Sequence, residues 1–187
     1  PRLMHTFQEK YPAIAIELFQ GTYDDVVYWI RNGIVDIGFL SVSSAAELSI
    51  EPLYKDPLLC VMPKGRKRSG QGGFIGIEEL RDQVFVTQRE STDADIQKFM
   101  KENKLNVKSD YHVVDDLSTI AMVANGFGIC LMPEMVMQDI PYDVDCYPLE
   151  GEAYRIVGIA VLNPDSMAPA VRTFYNHVIH EYQQEEF

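Results

Sequence analysis

The chain has 187 residues, of which 47 % are hydrophobic and 24 % are charged, as in an ordinary globular protein. Its formal net charge of −12 argues against nucleic-acid binding by this segment itself, because phosphate recognition needs a basic surface. No stretch approaches the roughly eighteen consecutive apolar residues of a membrane span. Cys60, Cys130 and Cys146 are too scattered for a disulfide framework or a zinc site.

Helices and strands alternate in the first third of the chain. The apolar spacing after Gly21-Thr22 predicts an amphipathic helix, and Thr22 with Asp25 resembles a capping box. In chain order, the predicted elements are a truncated helix ending at Tyr11-Pro12, a strand at 13–19, the helix after Gly21-Thr22, and strands at 35–40 and 57–63.

A basic and glycine-rich stretch, 64–73, then interrupts the pattern and is interpreted as a mobile surface loop, with an anion-binding patch as the less favoured alternative. The pattern restarts after this loop. The predicted elements are a short helix near 77–80, a strand at 84–87, a helix with Ile96, Phe99 and Met100, a strand at 111–114, a helix capped by Asp115 or Asp116, strands at 128–132, 145–149 and 155–162, and a C-terminal helix.

The same local pattern occurs twice, at Asn32-Gly33 and again at Asn125-Gly126. Each time an amphipathic helix runs into Asn-Gly, where glycine supplies the left-handed turn, and an apolar strand follows. Two such units predict two similar α/β lobes. Because the last helix can return to the first lobe, the predicted lobes are 1–62 with 159–187, and 63–158, with chain crossings near 62–64 and 158–160.

Several short motifs occur in a fixed order along almost the whole chain. They are Tyr11-Pro12, Glu17-Leu18, Asp36-Ile37-Gly38-Phe39, Glu51-Pro52-Leu53, the segment 57–63, Glu79-Leu80, the segment 123–133 and Pro164-Asp165-Ser166. In this order they resemble the effector-binding domain of LysR-type transcriptional regulators. The resemblance implies an α/β fold of two Rossmann-like lobes with a hinge, of the type 2 periplasmic-binding-protein class, and a small effector held between the lobes.

The resemblance also implies the role of the whole protein. The chain would be the effector-sensing and dimerisation domain of a bacterial, cytoplasmic regulator that forms homodimers or homotetramers without contacting a membrane. DNA would be bound only through an N-terminal winged helix-turn-helix domain, which is absent here. The family's first strand, with a Ser/Thr-bearing turn that commonly touches the effector, is expected to precede Pro1.

Loops at the carboxyl ends of strands are where ligand contacts are expected in such a fold, because helix N-termini offer N–H groups there. The predicted ligand-binding residues are Gly21, Thr22, Ser41 and Val42 in the first lobe, and Thr87, Gln88, Arg89, Ser91 and Thr92 in the second. Arg89 could grip a carboxylate, which makes organic anions one candidate class of effector. The alternatives are simple helix capping by Thr22 and a solvated Arg89 paired with Glu90.

No catalytic or metal-binding pattern stands out, and no cofactor is expected. His177 and His180 are interpreted as surface residues, because no carboxylate or cysteine framework accompanies them. Cys60 and Cys130 lie in apolar strands and are interpreted as packing rather than as a redox pair. Two other functions stay open: an extracytoplasmic solute-binding protein of a transporter, and an enzyme on the same scaffold, which would need a catalytic cluster.

Overall fold

The computed structural model describes residues 2–68, 70, 72–81, 83–88, 94–105 and 111–183. Arg89, Ser91 and Thr92, three of the predicted ligand-binding residues, lie outside this described part. The chain forms two compact units. The first consists of Pro1–Lys55 together with Ile156–Phe187, and the second is Asp56–Arg155.

Helices and antiparallel strands make up the first unit. The strand β1 pairs with β7 in antiparallel register, from Gly38 opposite Ala160 to Ser41 opposite Val157. The helix α1 packs against α6, where the rings of Phe7 and Phe174 meet edge to face at 4.9 Å. The elements are α1 (Arg2–Lys10), α2 (Tyr23–Arg31), β1 (Gly38–Ser41), the start of β2 (Ser49–Pro63), most of β7 (Tyr154–Val161) and α6 (Pro169–Gln183).

Parallel and antiparallel pairings both occur in the second unit. The strand β2 runs antiparallel to β5 and to β6, while β3 and β4 form a short parallel pair. Its elements are the end of β2, α3 (Ile77–Arg81), β3 (Thr87–Gln88), α4 (Ala94–Glu102), β4 (His112–Val113), α5 (Asp116–Ala124), β5 (Cys130–Pro133) and β6 (Val144–Pro148).

Both Asn-Gly motifs end a helix as predicted. Asn32 and Asn125 are the C-terminal caps of α2 and α5, and the glycines that follow have positive φ angles, 65° at Gly33 and 84° at Gly126. A side chain at such a φ is strained, so glycine is the favoured residue at both turns. The two similar helix ends confirm the repeated local pattern.

The predicted strand at 13–19 is wrong, because the structure contains no strand there. Leu18 has 75 % of its surface exposed and Phe19 has 44 %. A strand exists only where a neighbouring strand takes up its backbone hydrogen bonds. Among the described residues no strand pairs with this segment, so its apolar residues do not form the buried face of a sheet.

The chain passes from the first unit to the second within β2, which is one continuous strand, and returns within β7. The buried side chains of Leu58, Cys60 and Met62, toward the end of β2, belong to a core of the second unit. The lobe boundaries inferred from the sequence stay a prediction.

Within the basic stretch 64–73, the side chains of Lys64 and Arg68 form ion pairs with the second unit. The Arg68 side chain, only 10 % exposed, places its Nε 3.0 Å from Glu79 Oε1, and its guanidinium lies 4.4 Å from the centre of the Tyr147 ring. Lys64 pairs with both Asp143 and Asp145. Arg68 and Lys64 are therefore paired with carboxylates of the second unit, which counts against the alternative that this stretch binds anions.

Candidate functional site

A small pocket lies within the second unit, and two of the predicted ligand-binding residues line it. Thr87 and Gln88 contribute from β3. Gln97 and Thr119 contribute further polar groups from α4 and α5, and neither was predicted from the sequence. The apolar part of the lining comes from Val86, Ile96, Met100, Leu131 and Met132. The pocket therefore combines an apolar lining with a few amide and hydroxyl groups.

The polar side chains of this pocket donate hydrogen bonds to their own surroundings. Gln88 donates from Nε2 to Oδ1 of Asp116 over 2.5 Å. The Thr119 hydroxyl, which is fully buried, donates to the carbonyl oxygen of Asp115 at 2.8 Å. The Thr87 hydroxyl donates to the carbonyl of Tyr111 at 3.3 Å and also lies 3.4 Å from His112 Nδ1. These bonds hold the three side chains in defined orientations.

The N-terminus of α5 is capped by the chain itself. The side chain of Asp115 accepts a hydrogen bond of 2.8 Å from the backbone N–H of Ser118. Hydrogen bonds from Ser118 hold the pKa of the Asp115 carboxyl below its usual value. The predicted cap is confirmed for Asp115. The backbone N–H groups at this helix N-terminus were expected to face a ligand, and one of them is already hydrogen-bonded to Asp115.

Thr22 in the first unit forms the predicted capping box with Asp25. Its hydroxyl accepts from the Asp25 backbone N–H at 3.2 Å and donates to Asp25 Oδ2 at 2.8 Å, while the Thr22 N–H donates to the same oxygen at 2.9 Å. The backbone and side-chain bonds from Thr22 lower the pKa of Asp25. Helix capping by Thr22 is thus confirmed, and its contact with a ligand stays a prediction.

Close packing surrounds Gly21. A Cβ added there would lie 2.5 Å from the Trp29 ring and 2.9 Å from Asp25 Cβ. Contacts this short do not occur between real side chains, so any larger residue would displace the start of α2. Gly21 therefore has a packing role, whether or not it contacts a ligand.

The other predicted residues of the first unit lie at the end of β1. Ser41 is fully buried, accepts a bond of 3.3 Å from the Ser43 N–H and lies 3.1 Å from the Ser43 hydroxyl. It caps the short 3-10 helix Val42–Ser44, which contains Val42. The Ser44 hydroxyl, missed by the sequence analysis, is buried with no hydrogen-bond partner in the described part of the chain. No pattern marks that hydroxyl, because its burial depends on packing.

The cysteines in the strands are packing residues, as predicted. Burial raises the pKa of the Cys60 thiol to about 12, and burial also raises the pKa of Cys130 well above its usual value. A thiol is reactive as the thiolate, so such shifts make both side chains inert near neutral pH. Cys146 is more exposed, and burial raises its pKa as well.

The interpretation of His177 as a surface residue is wrong. Its side chain is buried between α6 and α1, with Nε2 3.2 Å from Thr6 Oγ1 and its ring centre 5.3 Å from that of Phe7. The contact between the two helices covers it, which the sequence of α6 alone does not reveal. His180 is exposed, as predicted. Among the described residues, no group of three or more His, Cys, Asp or Glu side chains could hold a metal ion.

Comparison with known proteins assigns the chain to a family. The family model for the LysR substrate binding domain matches residues 1–183. The chain belongs to this family. The family resemblance read from the ordered motifs is therefore confirmed. Within the part of the chain that the structure describes, no helix has the length and apolar character to span a membrane.

Relatives of this LysR domain are longer than the chain. The probable HTH-type transcriptional regulator LrrA of Synechococcus elongatus is 24 % identical over 174 residues, which are 93 % of this chain and 58 % of LrrA. The transcriptional dual regulator GltC of Bacillus subtilis is 24 % identical over 198 aligned positions, covering 100 % of this chain and 64 % of GltC. The chain thus spans about three fifths of these regulators.

Two solved structures show the fold of this LysR domain. The effector-binding domain of QuiR in complex with shikimate has a TM-score of 0.85 at 19 % identity, covering 100 % of this chain and 91 % of that one. The regulatory domain of CcmR from Synechocystis in complex with 2-PG has a TM-score of 0.88 at 17 % identity, covering 98 % and 90 %. The predicted α/β fold of the type 2 periplasmic-binding-protein class is confirmed.

Proposed function

We propose that this chain is the effector-sensing domain of a LysR-type transcriptional regulator. The observation that carries the proposal is the family match over residues 1–183, together with relatives that are transcriptional regulators. Ligand binding would favour one conformation of the domain, and this shift would alter the activity of the longer regulator. The same relatives favour a regulator over a solute-binding protein of a transporter.

The pocket of the second unit supports Thr87 and Gln88 as ligand contacts. Both were predicted as such, and both line this pocket with oriented polar groups. The pocket adds Gln97 and Thr119 to the proposed contacts. Gly21, Thr22, Ser41 and Val42 of the first unit, and Arg89, Ser91 and Thr92, remain proposed contacts on the family resemblance alone.

The assembly and the cellular role follow from the same proposal. The domain would form homodimers or homotetramers, and DNA would be bound by a helix-turn-helix region elsewhere in a longer, cytoplasmic protein. Binding would occur without catalysis. Its support is that the named relatives are transcriptional regulators.

A thermal-shift screen tests ligand binding by the 187-residue chain. The panel combines small carboxylic acids, polyols, hydroxy acids and amino alcohols, because a ligand that binds only the folded state raises the melting temperature by mass action. We expect at least one compound to raise it in a saturable way, and Thr119→Val to reduce that rise. If the melting temperature responds to no compound, and turnover assays reveal an activity, the sensing proposal is wrong.

A further inference from the structure

The helices α2 and α5 end in the same way, on an exposed asparagine that glycine follows. Asn32 Nδ2 donates to the carbonyl oxygen of Tyr28 at 2.8 Å. Asn125 Nδ2 donates to the carbonyl oxygen of Ala121, also at 2.8 Å. We propose that both asparagines are sites of spontaneous deamidation, that the folded helix ends hold this reaction back, and that Asn32 reacts before Asn125.

The reaction needs water as its one co-reactant. The backbone nitrogen of the glycine attacks Cγ of the asparagine, and the bond between Cγ and Nδ2 breaks. The side-chain nitrogen leaves as ammonia, carrying the proton that the glycine nitrogen has lost. Water then opens the resulting imide ring to give aspartate or isoaspartate. Asparagine is a thermolabile residue, and glycine favours the attack because no Cβ obstructs its nitrogen.

The backbone geometry of both helix ends opposes ring closure. The ψ angle is 6° at Asn32 and 9° at Asn125. At such an angle the nitrogen of the next residue eclipses the backbone nitrogen of the asparagine, whereas ring closure needs it to eclipse Cβ. The two directions differ by about a third of a turn, because the substituents of Cα are arranged tetrahedrally. The peptide group after the asparagine must therefore rotate before the attack can occur.

Hydrogen bonds oppose that rotation. The Gly33 N–H donates to the carbonyl oxygen of Ile30 at 3.2 Å, and the Gly126 N–H donates to that of Val123 at 2.9 Å. The bonds from Nδ2 also fix each side-chain amide on its own helix. All of these bonds must open before the imide ring forms. The rate of deamidation should therefore follow the fraction of molecules in which the helix end is open.

The two helices differ in how firmly packing holds them. In α5 the side chains of Thr119, Ile120 and Val123 are buried, and the strand β5 that follows is buried along its whole length. In α2 the buried residue is Ile30. Opening costs more free energy where more buried contacts are lost. The end of α2 should therefore open more often, and Asn32 should react first.

The product weakens the cap that protected the asparagine. A carboxylate cannot donate a hydrogen bond, so the bond from Nδ2 to the carbonyl oxygen of Tyr28 or Ala121 is lost. The new negative charge also stands at a helix C-terminus, where the helix dipole already carries partial negative charge. Isoaspartate in addition lengthens the backbone. Modified chains should therefore have a lower melting temperature than intact ones.

The end of α4 supplies a matched control within the same chain. Asn103 Nδ2 donates to the carbonyl oxygen of Phe99 at 2.9 Å, and the next residue, Lys104, has a φ angle of 53°. The Lys104 N–H donates to the carbonyl oxygen of Lys101 at 3.1 Å. The cap is of the same kind, but the attacking nitrogen belongs to a residue with a side chain. Asn103 should therefore react more slowly than Asn32 and Asn125, even in the unfolded chain.

Peptide mapping by mass spectrometry tests the proposal on the 187-residue chain, incubated at mildly alkaline pH in water enriched in a heavy oxygen isotope. In guanidinium chloride we expect Asn32 and Asn125 to take up labelled oxygen at similar rates, and Asn103 about tenfold more slowly. In the folded chain both Asn-Gly sites should react about tenfold or more slower than in the unfolded chain, and Asn125 should be slower than Asn32.

Three outcomes would each overturn the proposal. One is equal rates at the Asn-Gly sites in the folded and the unfolded chain. Another is a lack of label at both sites in guanidinium chloride. The third is faster modification of Asn125 than of Asn32 in the folded chain.

A matched pair of glycine substitutions tests whether each helix end controls its own asparagine. Tyr28→Gly and Ala121→Gly each weaken the last turn before the asparagine and should raise the folded-state rate there roughly fivefold, leaving the other site unchanged. Circular dichroism shows whether the variants fold, and the comparison of the folded and unfolded wild-type chain does not depend on them. An equal rise at both asparagines, or a rise at neither, would contradict control by the helix ends.

Discussion

Asp56 and Arg155 form a buried ion pair on the two strands through which the chain passes between its units. Asp56 Oδ2 lies 2.9 Å from Arg155 Nε and 2.8 Å from Nη2, and Asp56 Oδ1 accepts from the Met135 N–H at 2.9 Å. Asp56 is the first residue of the second unit on β2, and Arg155 is its last on β7. The fully buried carboxylate is therefore satisfied by one guanidinium and one backbone group.

Replacing Arg155 by methionine should destabilise the second unit strongly. The substitution leaves the buried Asp56 charge without its cation, and the free energy of unfolding should fall by about 3–5 kcal/mol. Urea denaturation followed by circular dichroism measures this. Arg81→Met is the matched control, because the Arg81–Glu78 pair is exposed and contributes about 0–1 kcal/mol. Equal effects of the two substitutions would contradict the role given to the buried pair.

Loss of the Thr22 cap should lower stability in a pH-dependent way. Thr22→Ala removes a side-chain cap of α2 and should cost about 1 kcal/mol at neutral pH, whereas Thr22→Ser should retain most of the stability. Asp25 has a lowered pKa in the folded chain, so its contribution is present above its unfolded value near 3.8 and is lost as the pH falls through the folded pKa.

Thermal unfolding between pH 2 and pH 7 measures this second effect. The difference between the wild-type chain and Asp25→Asn should shrink as the pH falls, because both then carry an uncharged group at residue 25. A difference that is independent of pH would show that the Asp25 charge does not support the cap.

Substitution of Gly128 should be costly for steric reasons. A Cβ at this residue would lie 2.5 Å from the carbonyl oxygen of Val84, which is backbone and cannot rotate away. Gly128→Ala should therefore lower the free energy of unfolding by about 1–3 kcal/mol, as overpacking does. Gly73→Ala, where an added Cβ would meet nothing within 4 Å, is the control for the general effect of adding a methyl group. Denaturant unfolding that finds the two variants equally stable would refute this prediction.

Thiol reactivity should separate the three cysteines. Cys146 is exposed, whereas Cys60 and Cys130 are buried and have raised pKa values. A disulfide reagent such as dithionitrobenzoate should modify Cys146 first in the folded protein and reach the other two only after unfolding in urea. In Cys146→Ser the fast phase should disappear. Its persistence would mean that a buried thiol becomes accessible in the native state.

Much of the secondary structure and part of the site could be predicted from the sequence. The features that were predicted correctly join residues three or four positions apart. They are the capping box at Thr22, the helix ends at Asn32 and Asn125, and the cap at Asp115. Because the partners are close in the chain, the spacing of residue types predicts each interaction. Thr87 and Gln88 were predicted as ligand contacts because they lie at the carboxyl end of the predicted strand 84–87. Both line the pocket, and their contact with a ligand stays a prediction.

The orientation of the polar side chains was less accessible from the sequence. The sequence cannot show which of Asp115 and Asp116 caps the N-terminus of α5, or that Gln88 donates to Asp116 across 28 positions of the chain. Thr119 and Gln97 were missed because they lie within helices, where polar residues usually face solvent. The direction in which each side chain points is decided by the packing of β3, α4 and α5.

The sequence by itself determined where helices begin and end, which strands are apolar, and the family to which their order belongs, because each depends on local periodicity or on short-range hydrogen bonds. Only the tertiary structure decided which of these elements find partners. The segment 13–19 has strand-like patterning but no neighbouring strand among the described residues, His177 is buried by a helix that lies far away in sequence, and Asp56 meets Arg155 from 99 positions away. Pairing and burial depend on which surfaces come into contact, and no local pattern contains that information.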